Sequence, residues 1–246
     1  MRILWITNTI FPEPSIALDI PVPVVGGWMF GLAEQLATRK EITLAVATVY
    51  QGSDLKCLNL NGIIYYLLPK KISLGYQKHL EPLWENICSE FLPDIIHIHG
   101  TEYNHGLSCM RACETLKFVV SIQGLVGIYA RYYYAGLSII DMLKNITLRD
   151  VLRHDTIFDG KKRFIKRGIF EKEYITNSKH IIGRTETGLL YRFEEIEILV
   201  ENIRKVFCDS SLAQYLSEEG IKIAEYRHSQ ILNCERTLEI YKSIFS

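Results

Sequence analysis

The feature that most constrains this chain is the alternation of short β-branched runs with helical patterns between residues 3 and 182. The apolar runs 3–7, 42–49, 63–68, 95–98, 118–122 and 180–182 are too short for helices. Helical patterns separate most of them. Gly26-Gly27 opens one that extends through Arg39. The span 79–91 places Leu80, Leu83, Trp84, Ile87 and Phe91 on one face. Residues 103–114 read as a helix, and 138–176 as a long, mostly helical region. Strands joined by helices run parallel and need cover on both faces. The expectation is an α/β fold: a Rossmann-like parallel sheet with helices on both faces.

The alternation stops at about residue 186. Beyond it, Ile196, Leu199, Val200, Ile203 and Phe207 mark an amphipathic helix. Asp209-Ser210 offers an N-cap for another, which carries Leu212, Tyr215 and Leu216. Leu238, Tyr241, Ile244 and Phe245 close the chain. This divides the sequence into a Rossmann-like domain, 1–186, and a C-terminal helical segment, 187–246, expected to pack back on the domain.

Composition narrows the function. With 48% hydrophobic and 23% charged residues, the chain can build a core. Lys+Arg and Asp+Glu are both 28, so bulk charge gives no support for nucleic acid as a partner. The balance hides a gradient, from +3 over 1–186 to −3 over 187–246. Lys161–Lys172 is the sharpest basic stretch, with six cations against Glu171. It invites contact with a membrane surface or an anionic lipid-linked acceptor, although such faces are commonly just solvated. The six cysteines form no C-x-x-C, and Cys109 and Cys113 stand one helical turn apart without a histidine pair at metal spacing. They read as reduced thiols of a cytoplasmic protein, peripheral at most to a membrane, with no metal site and no cofactor. The N-terminal apolar run breaks at Thr7-Asn8, unlike a signal peptide. Phe118–Ile140 carries Gln123 and Arg131, which argues against a membrane span.

In parallel sheets the ligand sits at the carboxyl ends of the strands. The polar residues there are Asn8, Gly26-Gly27, His97, His99 through Glu102, Gln123-Gly124 and Arg184 through Glu186. Gly26 and Gly27 precede a helix, where unpaired N–H groups and the helix dipole suit a diphosphate or sugar phosphate; a plain loop reads the same way. No G-x-G-x-x-G is present. His97 and His99 share one strand face by alternation, and two histidines without a third ligand make a poor metal site. Arg131 with Tyr132, Tyr133 and Tyr134 forms a cationic, aromatic patch fit for a sugar or for a core.

The segments "MRILWITNTIFPEPS…VVGGWMFGLAEQLA", "PDIIHIHGTEY", "VVSIQGLVGIYARYYY" and "IIGRTE" occur in the order and spacing that resembles the amino-terminal half of a GT-B glycosyltransferase, family 4. The ending from "LLYRFEEIEILVENIRKVF" onward is similar to the family's extreme carboxyl end. The resemblance implies retaining sugar transfer from a nucleotide sugar to a glycan or lipid-linked acceptor, as in polysaccharide biosynthesis. It implies that His99 is the catalytic-site residue that contacts the donor sugar and stabilises an oxocarbenium-like state. Gly26, Gly27, His97, Glu102, Gln123, Gly124, Arg131 and Arg184 become the substrate-binding candidates. Gln123-Gly124 stands where many members have His-Gly. The family's donor-binding domain and its paired glutamates have no counterpart, because "GRTE" runs straight into the terminal helices. The expectation is an internally shortened form that binds nucleotide sugars weakly and transfers nothing without a partner supplying the second domain. The other class open to this sequence is a non-catalytic Rossmann-like binding or scaffold module.

Overall fold

The computed structural model describes residues 1–24, 26–70, 76–122, 125–182 and 196–245. It consists of two compact units, residues 1–183 with 241–246, and residues 184–240.

The first unit is an α/β fold around a seven-stranded sheet. Strands β1 (Arg2–Thr7), β2 (Thr43–Tyr50), β4 (Ile63–Pro69), β5 (Ile95–His99), β6 (Phe118–Ser121) and β7 (His180–Ile182) run parallel. The order is β3-β4-β2-β1-β5-β6-β7. Strand β3 (Lys56–Leu60), absent from the sequence expectation, pairs antiparallel with β4 and adds an edge to the otherwise parallel sheet. Its residues alternate Lys, Cys, Leu, Asn and Leu, a weak apolar signal, and only the hairpin reveals it. Asn61 and Gly62 both take positive φ, 49° and 81°, as a two-residue turn between twisted strands requires.

Even-numbered β1 residues and their neighbours face one layer. Leu4, Ile6, Ala45, Ala47, Ile96 and Ile98 pack there against Trp84, Ile87 and Phe91 of α3 (Glu81–Phe91) and Leu107 and Met110 of α4 (His105–Ala112). The odd-numbered residues face the other layer. Tyr65 meets Phe11, and Phe11 meets Phe30 of α2 (Gly27–Ala37), by edge-to-face rings. Helices thus cover both faces, as expected. The Pro-rich stretch holds a short helix, α1 (Pro12–Ala17), because proline at the first helical position lacks only an N–H with no intrahelical partner.

The mostly helical region 138–176 holds three helices. They are α6 (Ile139–Lys144), α7 (Leu148–Leu152) and α8 (Ile157–Asn177), each started by its own cap: Ser138, Thr147 and Thr156. The last two are full capping boxes with Asp150 and Asp159. Before them, α5 (Val126–Arg131) crosses α8 at Gly127 and Gly168. A Cβ on Gly168 would lie 2.7 Å from the Gly127 Cα.

The second unit contains α9 (Ile196–Cys208), α10 (Ser210–His228) and α11 (Gln230–Ser243) as far as residue 240. The Asp209 carboxylate accepts from the Leu212 N–H at 2.9 Å, the N-cap expected there. Of the α9 stripe, Val200 and Ile203 are exposed and Phe207 is 86% exposed. The last turn of α11 belongs to the first unit. Tyr241 there is fully buried and its hydroxyl sits 2.8 Å from the Trp5 Nε1–H that donates to it. Among the described residues no helix is long and apolar enough to cross a membrane.

Candidate functional site

The chain moves from β1 to β2 on one side of the sheet, then crosses back to place β5 on the other side of β1. The crevice outside the carboxyl ends of β1 and β5 is therefore the topological switch point. Two glycines and one side-chain hydrogen bond shape it. Gly26 caps α2 in the left-handed region, φ 89°, and a Cβ there would meet the Thr9 methyl at 2.8 Å. Gly100 follows β5 at φ 93°, where a Cβ would strike Glu102 Oε2 and Asn8 Nδ2. The Asn8 amide donates to Glu102 Oε2 at 2.7 Å, tying the end of β1 to the loop after β5. Gly27, in contrast, is exposed, and a Cβ there would enter open space. Only the first glycine of the pair is required by geometry.

A cleft of about 1070 Å³ opens beside this point. Its floor is the loops after β2, β4 and β5, with Gln51, Lys70, Thr101 and Glu102. Its wall is one face of α8. Lys162, Arg163, Lys166 and Arg167 line that wall together with Asp159, and Lys70 and Glu102 line the floor. Asp159 is committed to the α8 cap, where two hydrogen bonds from Thr156 hold its carboxyl below the usual range. Arg163 is paired with Asp155 at 2.6 Å. The Arg167 guanidinium lies 5.2 Å from the Tyr103 ring centre, a cation–π contact that holds it beside the cleft. The arrangement can bind an anion with several oxygens, a phosphate or diphosphate.

The histidines lie deeper. His97 and His99 point to the same face, as alternation predicts, but each is only 1% exposed. Their rings stack with centroids 3.9 Å apart, and Trp5 lies 4.3 Å from His99. His97 Nδ1 is 2.5 Å from the Tyr241 hydroxyl and its Nε2 2.7 Å from Ser121 Oγ. Burial pushes the His99 imidazole down to about 3, so it is neutral near pH 7. His105 is also buried, its Nε2 3.0 Å from the Thr7 carbonyl, and burial lowers it to about 4. His99 thus sits at the end of β5 without lining the cleft.

The remaining candidates separate. Glu102 lines the cleft. Arg131, in the last turn of α5, instead lines a shallow groove of about 440 Å³ on the far side of α8, with Lys161 and Lys172 at its rim. Ile165 and Ile169 form its apolar floor. The basic stretch is consequently two stripes, and a 3.6-residue count of the sequence resolves them: 162, 163, 166 and 167 on one, 161, 165, 169 and 172 on the other. Gln123, Gly124 and Arg184 lie outside the described residues. Lys70 and Gln51 escaped sequence reasoning because nothing local marks them; they join the site only through the positions of β2 and β4. Glu171 also went unrecognised as a structural group. It is 5% exposed and accepts from the Val126 N–H at 2.6 Å and the Gly127 N–H at 3.2 Å, capping α5. No protein-family model matches this chain, and none of the curated proteins matches it.

Proposed function

We propose that the chain is the acceptor-side domain of a retaining GT-B-type glycosyltransferase that acts on a phosphate- or diphosphate-bearing glycan or lipid-linked acceptor. The observation that carries this reading is the cleft at the carboxyl edge of the sheet, where Lys70, Lys162, Lys166 and Arg167 line one pocket beside the Asn8–Glu102 hydrogen bond. A nucleotide sugar is the donor. The oxocarbenium-like state of retaining transfer needs a held donor and a dry cleft. A second, donor-binding domain from a partner supplies both in this proposal. His99, sealed from solvent and neutral near pH 7, takes no part in proton transfer in this reading.

The groove between α5 and α8 supports contact with an anionic lipid surface. Its apolar floor, with Ile165 48% and Ile169 65% exposed, is rimmed by Arg131, Lys161 and Lys172. One observation favours a second reading, a non-catalytic anion-binding module: the residue expected to touch the donor sugar, His99, is sealed from solvent.

Calorimetric titration separates these. The purified chain is expected to bind a water-soluble short-chain prenyl diphosphate sugar, and to bind UDP-, GDP- and TDP-sugars weakly or not at all. Micromolar affinity for a nucleotide sugar, or turnover of any donor by the chain alone, overturns the dependence on a partner domain. Failure to bind every diphosphate ligand removes the cleft as the site.

A further inference from the structure

In the core layer that α3 and α4 form on one face of the sheet, three thiols converge. Cys88 lies in the last turn of α3, and Cys109 and Cys113 lie one turn apart where α4 ends. Their sulfur atoms all fall within 4.8 Å of one another. Among the described residues no other three His, Cys, Asp or Glu side chains converge in this way. The sequence offers only Cys109 and Cys113 as a pair. Cys88 arrives through the packing of α3 on α4.

We infer that Cys88, Cys109 and Cys113 form a binding site for one thiophilic divalent ion of the zinc–cadmium class, which staples α3 to α4. The site is independent of the cleft and of any transferase activity. Metal–sulfur bonds of about 2.3 Å place tetrahedral sulfur ligands about 3.8 Å apart, within the present span. The Trp84 carbonyl, fixed in α3, lies beside the site and accepts from Cys113 Sγ at 4.0 Å; a water entering past Cys113 completes the coordination. Soft sulfur ligands select against magnesium and calcium. Charge selects among the soft ions. Three thiolates around a divalent ion leave one net negative charge in an apolar core, whereas around a monovalent ion they leave two, and buried charge is costly.

Binding three thiols releases their protons to solvent, and no oxidant or reductant is involved. The coordinating thiols deprotonate on binding, because the cation favours the thiolate. Access is through Cys113, which is the C-cap residue of α4 and 9% exposed.

The test uses the full chain with its exposed thiols removed, Cys57→Ser with Cys208→Ser. Cadmium is titrated in and sulfur-to-metal charge-transfer absorption is read in the ultraviolet. One equivalent is expected, and zinc is expected to compete it away. Cys109→Ala is expected to weaken binding by more than about 100-fold, beyond what loss of an outer-shell partner does. A second measurement does not depend on a folded variant. Zinc is expected to protect Cys88, Cys109 and Cys113, identified by peptide mass spectrometry, from alkylation of the parent chain. Absence of charge-transfer absorption, an unchanged affinity in Cys109→Ala, or alkylation of the three thiols unaffected by zinc overturns the site and leaves three core thiols.

Discussion

Gly26 and Gly27 are adjacent and chemically identical, yet the fold treats them oppositely. Gly26 sits at φ 89° with the Thr9 methyl where its Cβ would be, whereas Gly27 begins a helix in open space. Gly26→Ala is expected to cost about 2 kcal/mol from the left-handed backbone and the crowding together. Gly27→Ala is expected to be neutral or to stabilise by up to about 1 kcal/mol, since alanine has less backbone entropy to lose in a helix. Urea midpoints at constant m-value read both. Equal effects of the two would contradict the cap geometry. The buried histidines make a prediction about pH. Their folded-state values, about 3 for His99 and about 4 for His105, lie below the unfolded value of about 6.5. The unfolded chain therefore binds more protons between those limits. Stability is intact above about pH 6.5 and falls as pH drops, by about 1.4 kcal/mol per pH unit per histidine inside the window. Urea midpoints measured from pH 7 to pH 4.5 should show the fall, and His99→Phe should make it shallower. A slope unchanged in that variant would remove His99 from the effect.

At the scale of elements, α8 is the organising piece. One stripe faces the cleft, another rims the groove with Arg131, and Gly168 lets α5 approach closely. The stripes should separate by mutation. Lys166→Glu is expected to reduce affinity for a diphosphate ligand at least about tenfold, by losing one charge-assisted contact and adding repulsion. It should leave binding to anionic vesicles nearly unchanged. Lys172→Glu should do the reverse. Loss of both bindings in either variant would mean the two surfaces are not distinct. Gly168→Ala drives a methyl to 2.7 Å from the Gly127 Cα. Backbone cannot yield as a side-chain tip can, so a loss of about 1–3 kcal/mol is expected, with faster amide exchange over 126–131.

Across the whole first unit, a residue from the end of the chain closes the core built at its beginning. The Tyr241 hydroxyl meets Trp5 of β1 and His97 of β5, and the Lys117 ammonium lies 3.8 Å from the Phe245 ring centre. Tyr241→Phe keeps the ring and strands buried polar partners, so it should cost about 1–3 kcal/mol. A stop after residue 240 removes the ring as well and should cost clearly more. Thermal melts of both variants check the ranking. A stop variant as stable as the parent would show that this last turn adds nothing to the core.

The sequence by itself determined the layer architecture. Six of the seven strands and the helices between them follow from runs of β-branched residues at 3–7, 42–49, 63–68, 95–98, 118–122 and 180–182 and from 3.6-residue stripes such as Leu80, Trp84, Ile87 and Phe91. These patterns are local consequences of which side chains must leave water, so they need no partner to be read. It also placed Gly26 and Glu102 at strand ends, because polar and glycine punctuation is local too. Tertiary structure decided the rest. Strand β3 needs β4 beside it, since its own residues are too mixed to declare a face. The division of Lys161–Lys172 between two surfaces depends on which neighbours α8 meets. The convergence of Lys70 with Arg167, of Cys88 with Cys109, and of Tyr241 with His97 joins residues far apart in the chain. The sealing of His99 is the sharpest case. Alternation gives its face, but only Trp5 and His97 packed around it remove it from water and hold its ring neutral.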